Sequence, residues 1–382
     1  MMGDSRFRTA SPFSRRKHNR AYTSLYVAIA VVLGFTLFIW APLPDRIDHH
    51  RDAVVSHIKG ATLDNIDIPT SHSNSSSSKR PQTSMNKNGA RYAYATFLAG
   101  DALSVGNDTV PEHDKYFVAT RILAYQLLHA PETKSTHGYP FIVLVTPEVS
   151  AAKRERLSMD GATVWEAPPM DVGWVKTDVR TWQYVMSKLR LWDLTEFERI
   201  CFLDGDTILT GRMDGVFDDP AAVMLETDNR PESTESDEAA LPLTYSFAGV
   251  PEPKPRHNFP PSEEAGDWHN INYLNAGFFV LQPSKAMLNY YSSLTTLPDR
   301  FDPHLPEQNL LNYAHRREGN MPWKQLDTKW NIHYPTMNDL KGGVVSLHEK
   351  WWAPVSAELE PFMLSWRWRM EGYYEGHEEL RS

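Results

Sequence analysis

Arg199-Ile200-Cys201-Phe202-Leu203-Asp204-Gly205-Asp206 is the stretch on which the fold turns. After Arg199 the run is apolar for four residues, the pattern of a strand buried on both faces of a parallel sheet. It ends in two carboxylates one residue apart. Such a pair at the tip of a core strand is costly unless a cation meets it. Oxygen ligands suit hard divalent ions, Mg²⁺ and Mn²⁺ above all. The end of a parallel strand is also where open α/β sheets place their ligands. A surface turn carrying two solvated acids is the bland alternative, and the apolar strand in front of the pair argues against it.

Working outward, strands and helices alternate. Residues 91–98 read as a strand. Residues 115–129 carry apolar side chains at helical spacing (Phe117, Ile122, Leu123, Leu127) and stop before Pro131. Residues 141–145 read as a buried strand, 151–158 as a short helix, 162–165 as a third strand, 181–192 as a helix, and 200–203 as the fourth strand. This alternation implies an α/β fold with a mainly parallel central sheet and helices on both faces. Beyond Asp206 the pattern weakens. Residues 222–225 read as one more strand. Residues 227–268 are acidic, proline-rich and aperiodic, which suits either an insertion near an acceptor or a disordered surface loop.

Several segments, taken in order, resemble glycosyltransferase family eight, the glycogenin-like retaining sugar transferases, most closely its membrane-anchored fungal members. Ser187-Lys188-Leu189-Arg190-Leu191-Trp192-Asp193-Leu194, running into Arg199–Asp206 and Thr207-Ile208-Leu209, resembles the donor-site segment. Tyr92-Ala93-Tyr94-Ala95-Thr96 resembles the first strand, and Leu274-Asn275-Ala276-Gly277-Phe278-Phe279-Val280 the Asn-(Ala/Ser)-Gly strand. Glu307-Gln308-Asn309-Leu310-Leu311-Asn312 resembles the Asp-Gln-x-x-Leu-Asn motif, and Ser346-Leu347-His348-Glu349-Lys350-Trp351 the C-terminal His…Lys-(Pro)-Trp segment. The likeness covers residues 91–354.

The resemblance implies an A-type glycosyltransferase fold, Rossmann-like around the nucleotide sugar, and a role for each matched residue. Asp204, Asp206 and His348 would hold the metal, Mn²⁺ or alternatively Mg²⁺. Asp204 would also contact the ribose. Lys188 would reach the diphosphate or donor sugar. Glu307 would bind a donor hydroxyl and Gln308 would lie near the anomeric carbon. Asn275 would contact the donor sugar, Gly277 would permit close backbone approach, Thr96 would sit at the uracil pocket, and Lys350 would face the leaving diphosphate. Two departures stand out. Glu307 replaces the usual Asp, and Lys350 follows His348 by only two residues. The tyrosine that stacks on uracil in the family finds no counterpart here, because residues 101–114 depart from the pattern.

The chain of 382 residues is 41% hydrophobic and 23% charged, with a net charge of −9, which is long enough for one large domain. Its acidic balance speaks against nucleic acid as a partner. The charge is uneven: Arg6, Arg8, Arg15, Arg16, Lys17 and Arg20 stand against Asp4 in the first 20 residues. Residues 21–44 carry no charge and read as a transmembrane signal anchor with aromatic ends, rather than a cleaved signal peptide. The basic flank predicts a cytoplasmic tail over residues 1–20. Residues 45–88, with the serine run 71–78, read as a stem, and residues 89–382 as the catalytic domain. Asn74-Ser75-Ser76 and Asn107-Asp108-Thr109 are glycosylation sequons if this side is luminal. Cys201 is the one cysteine, so no intramolecular disulfide forms.

The sequence thus points to a type II Golgi membrane protein that moves a hexose or N-acetylhexosamine from a UDP-sugar to a glycan or glycoprotein. UDP-GlcNAc is the first donor to consider, and a homodimer is left open. The alternatives are a cytosolic self-glucosylating primer and a catalytically silent lectin-like or scaffold protein.

Overall fold

A computed structural model of the chain describes residues 91–100, 114–175 and 184–379. The tail, anchor and stem expected from the sequence, and the sequons at Asn74 and Asn107, lie outside these residues. Among the described residues no helix is long and apolar enough to cross a membrane.

The first half is built of β1 (Tyr92–Leu98), helix α1 (Lys115–Leu128), β2 (Phe141–Val145), α2 (Ala151–Met159), β3 (Thr163–Glu166), β4 (Arg199–Leu203) and β5 (Thr207–Leu209). Then follow β6 (Leu225–Glu226), β7 (Thr244–Tyr245), β8 (Phe247–Pro251), β9 (Leu274–Leu281), α3 (Lys285–Leu294), α4 (Pro306–Ala314), β10 (Lys324–Gln325), β11 (Ile332–His333), α5 (Met337–Gly342), β12 (Ser346–His348) and α6 (Glu360–Glu379).

Seven strands form the central sheet in the order β10-β8-β9-β4-β1-β2-β3. The pairs β1·β2, β1·β4, β2·β3 and β8·β10 are parallel, whereas β9 runs antiparallel to both β4 and β8. The expected α/β architecture holds, with β9 as the reversed strand. Side chains alternate across the sheet. Ala93, Ala95, Ile200 and Phe202 enter the core on one face, and Tyr94, Cys201 and Leu203 enter the core on the other. Burial on both faces explains why β4 carries no polar alternation.

Three expectations are corrected. Residues 222–225 are not a strand; only Leu225–Glu226 pairs, with Thr244–Tyr245 in a two-stranded ribbon. Within 227–268, read as aperiodic, lies β8, a fully buried member of the main sheet. Its Phe-Ala-Gly-Val-Pro sequence hides it, because small residues are what the packing demands. A Cβ on Gly249 would stand 2.5 Å from Leu274 Cδ1 and 3.0 Å from Phe278 O. The acidic stretch before β8 is tied down: Glu238 accepts from Tyr290 Oη at 2.9 Å and from Tyr313 Oη. The helix expected over 181–192 is a 3₁₀ helix at Val185–Asp193. Three residues per turn line up Val185, Lys188 and Leu191, all buried.

A second, three-stranded sheet of order β11-β12-β5 positions the site. Its β12 pairs antiparallel with β5, setting His348 opposite Thr207, and parallel with β11, setting His348 opposite His333.

Candidate metal and donor site

Asp204-Gly205-Asp206 is the bridge between the two sheets. Asp204 N donates to Gly277 O at 2.8 Å, which extends the β4·β9 ladder by one step. Thr207 N then donates to Asp204 O at 3.0 Å, closing a turn into β5. Glu349 N donates to Asp206 O at 3.1 Å. The backbone therefore fixes both acids against β12, and His348 arrives between them.

His348 Nε2 lies 3.5 Å from Asp206 Oδ1 and 3.8 Å from Asp204 Oδ2. One ligand atom from each of the three residues falls within 4.8 Å of the others. Two carboxylates and an imidazole, mostly buried, are a donor set that fits a divalent metal ion. Burial pushes the Asp206 carboxyl up, but the hydrogen bond and charge of His348, with Lys350, carry it well below the usual carboxylate range. Burial likewise opposes the proton on His348, yet Asp206 and Asp204 hold its pKa above the ordinary value. A cation at this point would do what that proton does, and its binding would release the proton.

Lys188, from the 3₁₀ helix, forms the second charged cluster. Its Nζ donates to Asp204 Oδ1 at 2.8 Å and to Glu307 Oε1 at 3.1 Å. Burial alone would depress its pKa, but the two carboxylates raise it. Lys188 thus joins Glu307 on α4 to the metal group. The longer Glu307 side chain makes an ion pair here. Gln308 on the same turn accepts from Ala276 N at 2.8 Å and donates to Tyr273 Oη at 3.2 Å. Asn275 accepts from Gly277 N at 2.9 Å and donates to Glu252 Oε2 at 3.1 Å.

Gly277 permits a close approach, but His348 is the neighbour that uses it. A Cβ there would stand 2.0 Å from His348 Cε1 and 2.9 Å from Asp204 Oδ2. Lys350 Nζ lies 3.5 Å from Asp206 Oδ2 with its side chain 43% exposed, so it borders the open side of the group. Thr96 is fully buried and its hydroxyl has no hydrogen-bond partner; a Cβ on Gly205 would stand 3.7 Å from its Oγ1, so it lies against the Asp-Gly-Asp turn and not on an open surface.

The structure adds residues that the sequence reading missed. Tyr116, at the start of α1, is 47% exposed, and its ring meets Trp352 edge-on at 5.0 Å. Burial of its hydroxyl raises its pKa, opposed by Lys350 and helped by Asp206 and Asp204. Its carbonyl accepts from Thr120 Oγ1 at 2.9 Å, and a Cβ on Gly205 would stand 3.1 Å from that Thr120 oxygen, so the first turn of α1 packs against the Asp-Gly-Asp turn. Its signal was its position two residues after Asp114, whose side chain accepts from Tyr116 N at 3.0 Å as the helix cap. Glu252 follows β8 and faces His333, with Oε2 3.8 Å from His333 Nδ1. Neither residue belonged to a motif; β8 and β11 bring them in.

An acid pair at the tip of the central strand, closed by a histidine from a second sheet, fits the metal-dependent glycosyltransferase that the sequence resemblance implies. No family model matches the chain. The uncharacterized protein C4C3.09 of Schizosaccharomyces pombe is 30% identical over 290 residues, covering 67% of this chain and 73% of that protein. The chain belongs to the same family as C4C3.09. Galactinol synthase 6 of Arabidopsis thaliana is 28% identical over 223 residues, covering 58% of this chain and 59% of the synthase. Among solved structures, the glycosyltransferase GlyE of Streptococcus pneumoniae TIGR4 is similar with a TM-score of 0.43 and 14% identity, covering 75% of this chain and 64% of that one.

Proposed function

We propose that the chain is a divalent-metal-dependent transferase that moves a sugar from a UDP-sugar to a glycan or glycoprotein acceptor with retention of configuration. The observation that carries this reading is the convergence of Asp204, Asp206 and His348 at the end of β4. Three carboxylates (Asp204, Asp206, Glu307) face two ammonium groups (Lys188, Lys350) around it, so once His348 gives up its proton the cluster keeps a negative charge for a cation.

Asp204, Asp206 and His348 would hold Mn²⁺, or Mg²⁺ in its place, and the ion would neutralise a departing diphosphate. Lys350, on the open side, would pair with that diphosphate. Tyr116 offers an aromatic face for uracil, while buried Thr96 would shape the floor beneath it. Lys188 holds Asp204 and Glu307 in register, which fixes the wall that a donor sugar would meet. Asn275 and Gln308 line the β9 and α4 side of that wall. Glu307 is engaged by Lys188 and is thereby a poor free nucleophile, which favours attack on the donor's front face over the two-carboxylate route of retaining hydrolases.

The catalytic region would lie in the Golgi lumen behind a type II anchor at residues 21–44. Protease protection in sealed microsomes tests that arrangement; digestion from outside overturns it. The donor is tested by UDP release from UDP-sugars, UDP-GlcNAc first, with product NMR to read the anomeric configuration. The likeness to galactinol synthases places galactinol formation in the same panel. Absence of UDP release from every donor with Mn²⁺ would overturn the reading in favour of a silent scaffold.

A further inference from the structure

His348 presents Nε2 to the two carboxylates, but its other nitrogen, Nδ1, is buried without a hydrogen-bond partner. Metal-binding histidines almost always tie that second nitrogen to a carboxylate, carbonyl or water, which fixes the ring plane. Here the ring is held by surfaces instead. Gly277 lies on one side, with no room for even a Cβ. On another lies the His333 ring, its centroid 4.8 Å away at an interplanar angle of 32°. The two histidines are directly opposed across the parallel β11·β12 pair, so the ring contact is a cross-strand pair.

His333 is itself covered. The Tyr334 ring stacks on it at 3.9 Å and 27°. Consecutive residues of an extended strand point to opposite faces, so their rings cannot stack without a break in the backbone. That break is present: Tyr334 has φ 53°, a left-handed conformation that a non-glycine residue adopts only when its surroundings impose it. On the edge of the imidazole, Asn275 Nδ2 lies 3.5 Å from His333 Nδ1 and Glu252 Oε2 lies 3.8 Å from it. The order is Tyr334, His333, His348, then the carboxylates.

We propose that His333 is a positioning residue for His348, and that the Tyr334–His333–His348 ring stack takes the place of the missing hydrogen bond in aiming Nε2 at the metal. The inference rests on reading Asp204, Asp206 and His348 as a metal site. His333 acts through its flat ring and is not among the three residues whose ligand atoms converge.

The test is direct Mn²⁺ binding to the full chain, by calorimetry and by the Mn²⁺ EPR spectrum, with no donor present. His333→Ala should weaken Mn²⁺ about tenfold, the scale of outer-shell substitutions. His333→Phe keeps a ring and loses both nitrogens, so it should bind close to the wild-type value. Tyr334→Ala, which leaves His333 in place, should weaken binding in the same direction and guards against misfolding of the His333 variants. The stack is overturned if His333→Ala binds like wild type. It is also overturned if His333→Phe is as weak as His333→Ala, which would make the nitrogens themselves the working groups. Asp206→Asn separates the two levels. If it too binds Mn²⁺ like wild type, the metal-site reading fails; if it loses Mn²⁺ while His333→Ala does not, only the stack fails.

Discussion

Gly277→Ala is a one-carbon change whose consequence follows from the geometry. The added Cβ would stand 2.0 Å from Cε1 and 2.8 Å from Nδ1 of His348, and 2.9 Å from Asp204 Oδ2. Carbon atoms rest in contact at about 3.5–4.0 Å, so the ring must retreat by roughly 1.5 Å. His333 packs against the ring and limits where it can go. Gly277 is not in a left-handed conformation, so alanine meets no backbone penalty and the effect is steric. Overpacking of this kind costs about 1–3 kcal/mol of stability, which a domain of this size survives. A nitrogen ligand sits about 2.1 Å from a zinc-sized ion, so a displacement of that order removes one of three protein ligands. Mn²⁺ affinity should fall about 10–100-fold, the equivalent of about 1.4–2.7 kcal/mol. Calorimetric Mn²⁺ titration, beside a thermal melt to confirm folding, reads it. A folded Gly277→Ala protein that binds Mn²⁺ within about twofold of wild type would refute the reasoning.

Other outcomes follow from the same contacts. Lys188→Met leaves Glu307 buried without its partner, so it should destabilise by about 3–5 kcal/mol and lower the melting temperature even without metal; an unchanged melt would show that Glu307 is hydrated instead. Gln308→Ala frees Ala276 N and Tyr273 Oη, and should lower turnover far more than donor binding; a loss confined to donor affinity would make Gln308 a binding group only. His315 is fully buried, donates from Nδ1 to Met321 O at 2.7 Å and accepts from Tyr291 Oη at Nε2, and its pKa is pushed down to about 4 by burial. The unfolded chain takes up that proton below its ordinary pKa of about 6.5 and the folded chain does not, so stability should fall as pH drops from about 6.5 to 4, by about 3 kcal/mol in all. Denaturant unfolding at a series of pH values, with His315→Gln as the flat comparison, measures this term; equal slopes would contradict it.

The strands β1 to β4 and helices α1 and α2 were legible because each is a continuous apolar run or a regular helical pattern bounded by Pro, Gly or a cap. The convergence of Asp204, Asp206 and His348 was legible as well, the acid pair because it terminates a core strand and His348 through the family resemblance of its segment. What escaped was governed by tertiary packing. In β8, Gly249 and Ala248 are dictated by neighbours on β9 and carry no strand propensity of their own. The 3₁₀ winding around Lys188 differs from an α-helix by a fraction of a residue per turn, which spacing alone does not resolve over nine residues. The pairing of Lys188 with Glu307 spans 119 positions in sequence, and His333 meets His348 only because β11 and β12 lie side by side. Gly277 was read as room for a ligand, and it is room for His348. Tyr116 lies inside the segment read as a helix, and no motif marked it because residues 101–114 break the pattern.

Sugar transfer by this chain is proposed to depend on a divalent ion held by Asp204, Asp206 and His348. The most direct measurement is UDP release by the wild-type chain and by Asp206→Asn, each with Mn²⁺ and with excess chelator, using the donor that gives the highest wild-type rate. Wild type should be active with Mn²⁺ alone, lose activity in chelator and recover it on adding Mn²⁺ back, and a folded Asp206→Asn protein should give near-background release under all conditions. Undiminished UDP release by Asp206→Asn in chelator would contradict that dependence.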